Sequence, residues 1–439
     1  MSDPESGFIR HKLRQVCEHT ITNLGRLDEM PGVLDHSRPL EGRTVVVVGA
    51  GPSLEGNGEY LVDAQARGIP IIAVNASDSA CRAYGVKPDV MLARESLDIA
   101  DQIEASDARM VVVDISVRPD TWDAARDRDG EARWFIPVYP RHVQVCRRLG
   151  IRPMYGGTSA LCSAVSLAMV WGAARIVLVG VDLAGTTDGR VYHRDAPRGT
   201  ARAHEDRDTG ALVWTDDDAD ADRHLRSGQP TPPREQAFDQ VPSMDWGDML
   251  PVLPTWQNQR EWLTTEAGRR LGRLECINAT EGGGGIVYWR SQTLRYVLAG
   301  EDPRDPVELP GGQEIIPYQI QRLREDMAHD ANAIDHLSES MLEAGGPSLR
   351  MLAHLPRAVD QSCLVEATAA KRILDAPQIP RGQERSPASR GVMLSRCRYI
   401  YESWQMAAQD TMTLLEAGAG NGDVTTERHG PGDIRRGHG

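Results

Sequence analysis

Lysine is nearly missing from this 439-residue chain: only Lys12, Lys87 and Lys371 occur among 49 basic residues, and the rest are arginines. That bias reflects GC-rich coding and says little about mechanism. Net positive charge is missing too: 63 acidic residues leave a formal charge of −14. A general polyanion binder is usually basic overall, so that class is excluded. Paired cysteines are missing. The seven are scattered, odd in number and never spaced CxxC, which argues against a disulfide framework or a zinc site. A reduced, cytoplasmic compartment is the expectation.

Long apolar runs are scarce. The best, Ser159 to Gly180, is broken by Gly172 and Arg175 and reads as a buried helix turning into a buried strand. The first fifteen residues have no basic segment leading into an apolar one, so no secretory signal is expected. Yet 40% of the residues are apolar, ordinary for a folded protein.

What is present alternates. Residues 8 to 28 space Ile9, Leu13, Val16, Cys17, Ile21 and Leu24 as an amphipathic helix. A Pro/Gly linker leads to RTVVVVGAGPSL, whose four valines suggest a strand buried on both faces. Similar runs recur at Ile71–Val74, Met110–Val113 and Ile176–Val179. Helical patterns at Tyr60–Arg67 and Ser159–Trp171 lie between them. The reading is an α/β fold: a Rossmann-like, mostly parallel sheet with helices on both faces. Residues 1–40 form an N-terminal helix and linker, 41–290 the α/β domain, 291–418 a helical extension and 419–439 a disordered tail. Residues 183–258, rich in Gly, Pro and Asp, read as long functional loops or a partly ordered insertion in that domain.

Five places carry candidate chemistry. Gly49-Ala50-Gly51-Pro52-Ser53-Leu54 follows a buried strand and precedes a helix, where backbone N–H groups can approach a phosphate. It lacks the third glycine of a dinucleotide fingerprint, since Leu54 stands there. The acidic residue expected at the end of the second strand is replaced by Asn75, whose amide can hold a ribose or base. Lys87-Pro88-Asp89 heads the run VMLARES, bracketed by Asp89 and Glu95; such carboxylates suit a metal or a ribose. Tyr155-Gly156-Gly157-Thr158-Ser159 precedes a helix as a second possible anion cradle, with Thr158 or Ser159 as its cap. Around it, residues 132–181 contain no acid but six arginines (133, 141, 147, 148, 152, 175), which suggests a locally positive region.

Asp182 ends the strand VLVGVDL, where open α/β sheets bind ligands. Asn278-Ala279-Thr280-Glu281-Gly282 opens a loop of four glycines after another strand. For a base, His193 and His204 lie in the loops after Asp182. Asp216-Asp217-Asp218 could mimic a metal-binding DxD, but a solvated acidic run suits its polar loop better. No metal site is expected. The chain's acidity is concentrated elsewhere: residues 204–222 hold eight acids and one arginine, whereas residues 41–203 hold 20 acids and 19 bases.

Taken in order, VVGAGPSL, VNASDSA, GVKPDV, GGTSALCSAVSLAMVWGAARIVLVGVDLA and INATEGG resemble the MptE-like domain family. It joins 6-hydroxymethylpterin diphosphokinases to the Maf motility accessory factors, which glycosylate flagellin with nonulosonic acids. Bacterial sialyltransferases are more distantly similar. The resemblance covers roughly residues 41 to 290. It implies a nucleotide site with Gly51, Pro52 and Ser53 by the donor phosphates and Asn75 on the ribose or base. Gly157, Thr158 and Ser159 would hold the nucleotide, and Asp182 would close the site. In the sialyltransferases a histidine beyond the G-x-D strand acts as base, which leaves His193 and His204 as candidates. Glu95 stands where the family often has Asp, and no tyrosine follows DLA.

Three functions fit. A glycosyltransferase would use a CMP-sugar donor and a protein acceptor such as flagellin. A diphosphokinase would move pyrophosphate from ATP to a pterin-like alcohol, with Mg²⁺ on Asp89, Glu95 or Asp182. A non-catalytic nucleotide-binding scaffold is the third. None calls for nucleic acid or a membrane span.

Overall fold

The structure, a computed structural model, describes Val16, His19, Thr20, residues 22–34, 37–138, Cys146, 149–157, 159–205, 212–215, 239–244 and 247–312. The helices expected beyond 316 and the tail lie outside these residues, as do Thr158, Arg141, Arg147, Arg148 and Asp216–Asp218. Of the helix expected over 8–28, Val16, His19, Thr20 and 22–28 are described; those up to 24 are helical, and 25–28 form turns, so the helix ends earlier than expected.

In chain order the elements are β1 (Thr44–Val48), α1 (Leu54–Asn57), α2 (Tyr60–Ala66), β2 (Ile71–Val74), α3 (Asn75–Ala83), β3 (Val90–Ala93), α4 (Ala100–Glu104), β4 (Met110–Asp114), α5 (Pro119–Asp127) and β5 (Glu131–Phe135). Then follow α6 (Ala160–Val170), β6 (Arg175–Val179), β7 (Arg202–Glu205), β8 (Leu212–Thr215), β9 (Asp239–Pro242), β10 (Met249–Val252), α7 (Pro254–Arg269), β11 (Glu275–Asn278), β12 (Arg290–Ser291) and α8 (Leu294–Ala299).

Eight strands form one sheet in the order β12-β11-β6-β1-β2-β3-β4-β5, and every pairing in it is parallel. The expected α/β fold is therefore observed. Alternate side chains leave a strand on opposite faces, and β1 divides accordingly. Val45 and Val47 join a core with Ile72, Leu92 and the α6 residues Val165 and Ala168. Val46 and Val48 join another with Leu61 of α2, Ile71, Ala80 of α3 and Leu298 of α8. The second layer continues over β3 and β4 with Ile103, Trp122 and, from the N-terminal segment, Leu24, Leu27 and Met30. Burying both faces is what keeps strands such as TVVVV wholly apolar.

The insertion after Asp182 is more ordered than its composition suggests. Two antiparallel pairs, β7–β8 and β9–β10, stand in it, and Val241, Leu250 and Val252 of the second pack with Ala184. Each strand is four residues long, and β7, β9 and β10 carry charged or proline positions, so no long apolar alternation marks them. Among the described residues, no helix is long and apolar enough to cross a membrane.

Candidate functional site

Strand order fixes where a ligand can enter. From β1 the chain moves toward β2 on one side, while β6 lies on the other. The β1/β6 boundary is thus a topological switch point, and its carboxyl edge is the ordinary binding position in open α/β sheets.

Asp182 follows β6 at this edge, held between the loop after β1 and the loop after β11. Its side chain is buried. Ser53 donates to it twice, through the backbone N–H at 3.2 Å and through Oγ at 2.7 Å. Burial pushes the carboxyl up to about 6, against the Ser53 hydrogen bonds that hold it down. The loop after β1 has to come very close. A Cβ on Gly51 would stand 1.8 Å from Asp182 Oδ2, so only glycine fits.

From the other side comes the tetraglycine loop after β11. Gly283 adopts φ +72°, and a Cβ there would meet the Asp182 carbonyl at 2.3 Å. Gly284 donates its N–H to the same carbonyl at 2.9 Å. Gly282, Gly283 and Gly284 are thus a close-packed clamp, while Gly285 has open space around it. Thr280 accepts from the Val181 N–H at 3.2 Å. Asn278 accepts from the Thr280 N–H at 3.2 Å and donates to Met244 Sδ at 3.4 Å. Both residues are buried and shape the loop. Glu281, exposed and at φ +60°, accepts the Leu294 N–H that begins α8.

The GAGPSL turn is not an open row of donors. Gly49 bonds Val179 O, Gly51 bonds Gly180 O at 2.8 Å, and Leu54 bonds Gly51 O; Ser53 serves Asp182. Its glycines let the turn lock against β6. The second turn differs. Ser159 caps α6 by accepting the Cys162 N–H at 3.2 Å. Arg94, just past β3, donates to the carbonyls of Gly157 (2.9 Å) and Gly156 (3.3 Å) and to Ser163 Oγ (3.0 Å). Its Nε pairs with buried Asp114 at 3.0 Å. With its carbonyls drawn onto Arg94, this turn presents its other side at the N-terminal end of α6. Sequence reasoning missed Arg94, whose partners come from β4 and α6.

Asn75 begins α3 at the same edge and donates to Gln102 at 3.1 Å. Asp89 does not join this group. It precedes β3, at the amino edge of the sheet, where it accepts from the Ile71 N–H and pairs with Arg109 at 2.8 Å. Glu95, at the carboxyl edge, accepts the Ser96 N–H. Among the described residues, no group of three His, Cys, Asp or Glu comes together as a metal site would need.

His193 is wholly buried. Its N–H donates to Ala50 O at 2.8 Å, pinning this segment to the β1 loop. Nδ1 accepts the Asp195 N–H at 3.1 Å, which leaves the proton on Nε2, 3.2 Å from Tyr84 Oη. Burial lowers its pKa, so the ring is neutral and both nitrogens are engaged. His204 is exposed on β7. Of the six arginines in the acid-free stretch, Arg133 on β5 pairs with Glu131, and Arg175, at the amino end of β6, pairs with Glu275.

A wholly parallel doubly wound sheet with its switch point at β1/β6 defines a Rossmann-like protein. The family resemblance read from the sequence is borne out: the family model "6-hydroxymethylpterin diphosphokinase MptE-like" matches residues 18–188. No curated protein matches. Among solved structures, a MAf glycosyltransferase from Magnetospirillum magneticum AMB-1 is similar, with TM-score 0.52 and 13% identity, over 91% of this chain and 59% of that one. The chain thus spans 59% of that neighbour's length, and the likeness is one of fold.

Proposed function

We propose that this chain is a transferase acting on a nucleotide-activated donor: a glycosyltransferase of the Maf and sialyltransferase kind, with a CMP-linked nonulosonic acid as donor. The observation that carries this reading is Asp182, a buried carboxyl raised to about 6 at the end of a central strand. A group titrating there is suited to take a proton from a hydroxyl near neutral pH. An acceptor hydroxyl, on a protein such as flagellin, attacks the anomeric carbon while Asp182 receives its proton. Ser53, which now donates to that carboxylate, must turn aside. Gly49, Gly51, Pro52 and Ser53 border the donor, and Asn75 reaches its ribose or base. The turn at Gly157, Thr158 and Ser159 and the first N–H groups of α6 receive the departing phosphate. With both nitrogens of His193 engaged, Asp182 is the better base. His204 remains the second proton carrier. A cytoplasmic location fits these substrates.

The family description favours a second reading, a diphosphokinase moving pyrophosphate from ATP to a pterin-like alcohol. Its Mg²⁺ would rest on Asp182, because the other carboxylates do not converge with it. Asp89 is at the opposite edge, and Glu95 is three strand spacings away, ~14 Å. Thermal-shift titration separates the two. A ligand at a hundred times its Kd stabilises by about 2.7 kcal/mol. CMP should raise Tm and ATP–Mg²⁺ should not. The reverse result selects the diphosphokinase, and no shift with either refutes both transferases.

A further inference from the structure

Arg260, on α7, is half-buried. It has no hydrogen bond or ion pair with any described residue, and burial lowers its pKa with only neighbouring Glu261 opposing. Other arginines of this fold that lose solvent gain partners: Arg94 has Asp114, Arg175 has Glu275 and Arg190 has Glu55, while Arg128 has the carbonyls of Ser106 and Ala108 and Arg43 those of Gly68 and Asp305. A desolvated guanidinium without an anion costs stability, so its place needs a reason.

Its place is the glycine clamp. Gly282 lies against Ser53, and a Cβ there would stand 3.0 Å from Ser53 Cβ. Gly283 lies against the Asp182 carbonyl. Gly284 lies against Arg260, whose Nη1 is 3.0 Å from where its Cβ would be, with the Asp182 carbonyl 3.9 Å from that same point. Three successive glycines therefore run from the β1 loop past Asp182 to this guanidinium. Side chains on them would separate it from Asp182.

We propose that Arg260 is the anion-binding residue of the site, receiving a phosphate or carboxylate group of the substrate beside Asp182. A guanidinium presents planar paired donors that match either oxyanion. The inference rests on the transferase reading, because a CMP-nonulosonate carries both groups.

The test compares wild type with Arg260→Met and Arg260→Lys, titrated calorimetrically with CMP, inorganic pyrophosphate and free sialic acid, which bears a carboxylate but no phosphate. Arg260→Met should lose roughly tenfold to a hundredfold in affinity for the probe that the guanidinium holds, and Arg260→Lys should lose less. Loss confined to CMP and pyrophosphate assigns the phosphate; loss confined to sialic acid assigns the carboxylate. The ligand-free Tm of Arg260→Met should equal or exceed that of wild type, since no ion pair is broken; a large fall would overturn the unpaired guanidinium. Unchanged affinity for every probe that wild type binds overturns this inference and leaves the transferase reading standing. Wild type that binds pyrophosphate or sialic acid through Arg260 but not CMP keeps the inference and overturns the CMP donor. Wild type that binds none of the three overturns both.

Discussion

Asp182→Asn should make the protein more stable and inactive at once. The carboxyl titrates at about 6 in the fold against 3.8 for an ordinary aspartate. The folded state therefore holds this proton more tightly than the unfolded chain. Between those two values the native state is protonated where the unfolded one is not, so stability falls as pH rises through the window. Below it the term vanishes, and above it the whole cost is present. About two pKa units correspond to about 3 kcal/mol, which is an upper bound because asparagine does not reproduce the packing of a protonated carboxyl perfectly. The asparagine amide can still accept the Ser53 N–H and donate to Ser53 Oγ, so the fold should survive. Urea denaturation at pH 5 and pH 7.5 measures the effect. Wild type should be weaker at the higher pH, and the variant should lose this residue's share of the slope and gain up to about 3 kcal/mol at pH 7.5. Transfer activity should vanish, the usual trade of stability for function at a strained site. A variant less stable than wild type at pH 7.5, with its pH slope intact, would refute the argument.

Arg94→Met should destabilise by about 3–5 kcal/mol, because it leaves Asp114 as a buried charge without its cation. Adding Asp114→Asn should recover much of that loss in urea denaturation, and a single variant as stable as wild type would show the pair to be unimportant. Gly51→Ala places a methyl 1.8 Å from Asp182 Oδ2 and should cost about 1–3 kcal/mol as the carboxylate is driven off Ser53. Gly56→Ala on α1, where nothing lies within 4 Å, is the control and should be neutral or stabilising by differential scanning calorimetry; equal losses in both would place the strain elsewhere.

The central strands were legible because burial on both faces leaves an unbroken apolar record. Ile71–Val74 appears at its actual limits, and the runs at 110 and 176 miss one residue each. β5 was not seen. It is the edge strand EARWF, exposed at Glu131 and partly open at Arg133, so water writes charge into it. β7 to β10 are hidden by their length, four residues each, too short for an alternation to stand out. Asp182 was legible from its position at a strand end, and Gly51 from its residue type, but the reason for Gly51 was not. The sequence suggests an N–H aimed at phosphate. In the fold that N–H goes to Gly180, and the missing Cβ is what admits the carboxylate. Asp89 was misjudged for a related reason: a carboxylate before a strand and one after it look alike in sequence and stand on opposite edges of a parallel sheet.

The arginines carry that argument to electrostatics. An acid-free stretch implies unpaired positive charge only if every pairing is local in sequence, and for Arg175 it is not. Arg175 finds Glu275 a hundred residues away, because β6 and β11 are neighbours with Arg175 opposite Glu275 in register. Arg94 finds Asp114 because β3 and β4 are neighbours. Sheet order, as well as spacing along the chain, decides which cations are neutralised. Arg260 sits on a helix, outside the ladder that pairs the others, and meets a loop without side chains. Glycine offers no carboxylate and no bulk, so the guanidinium is held at the carboxyl edge with its charge uncompensated. That is the condition an anion-binding residue needs, and it arises from the clamp on Asp182 rather than from the stretch of sequence in which acids are scarce.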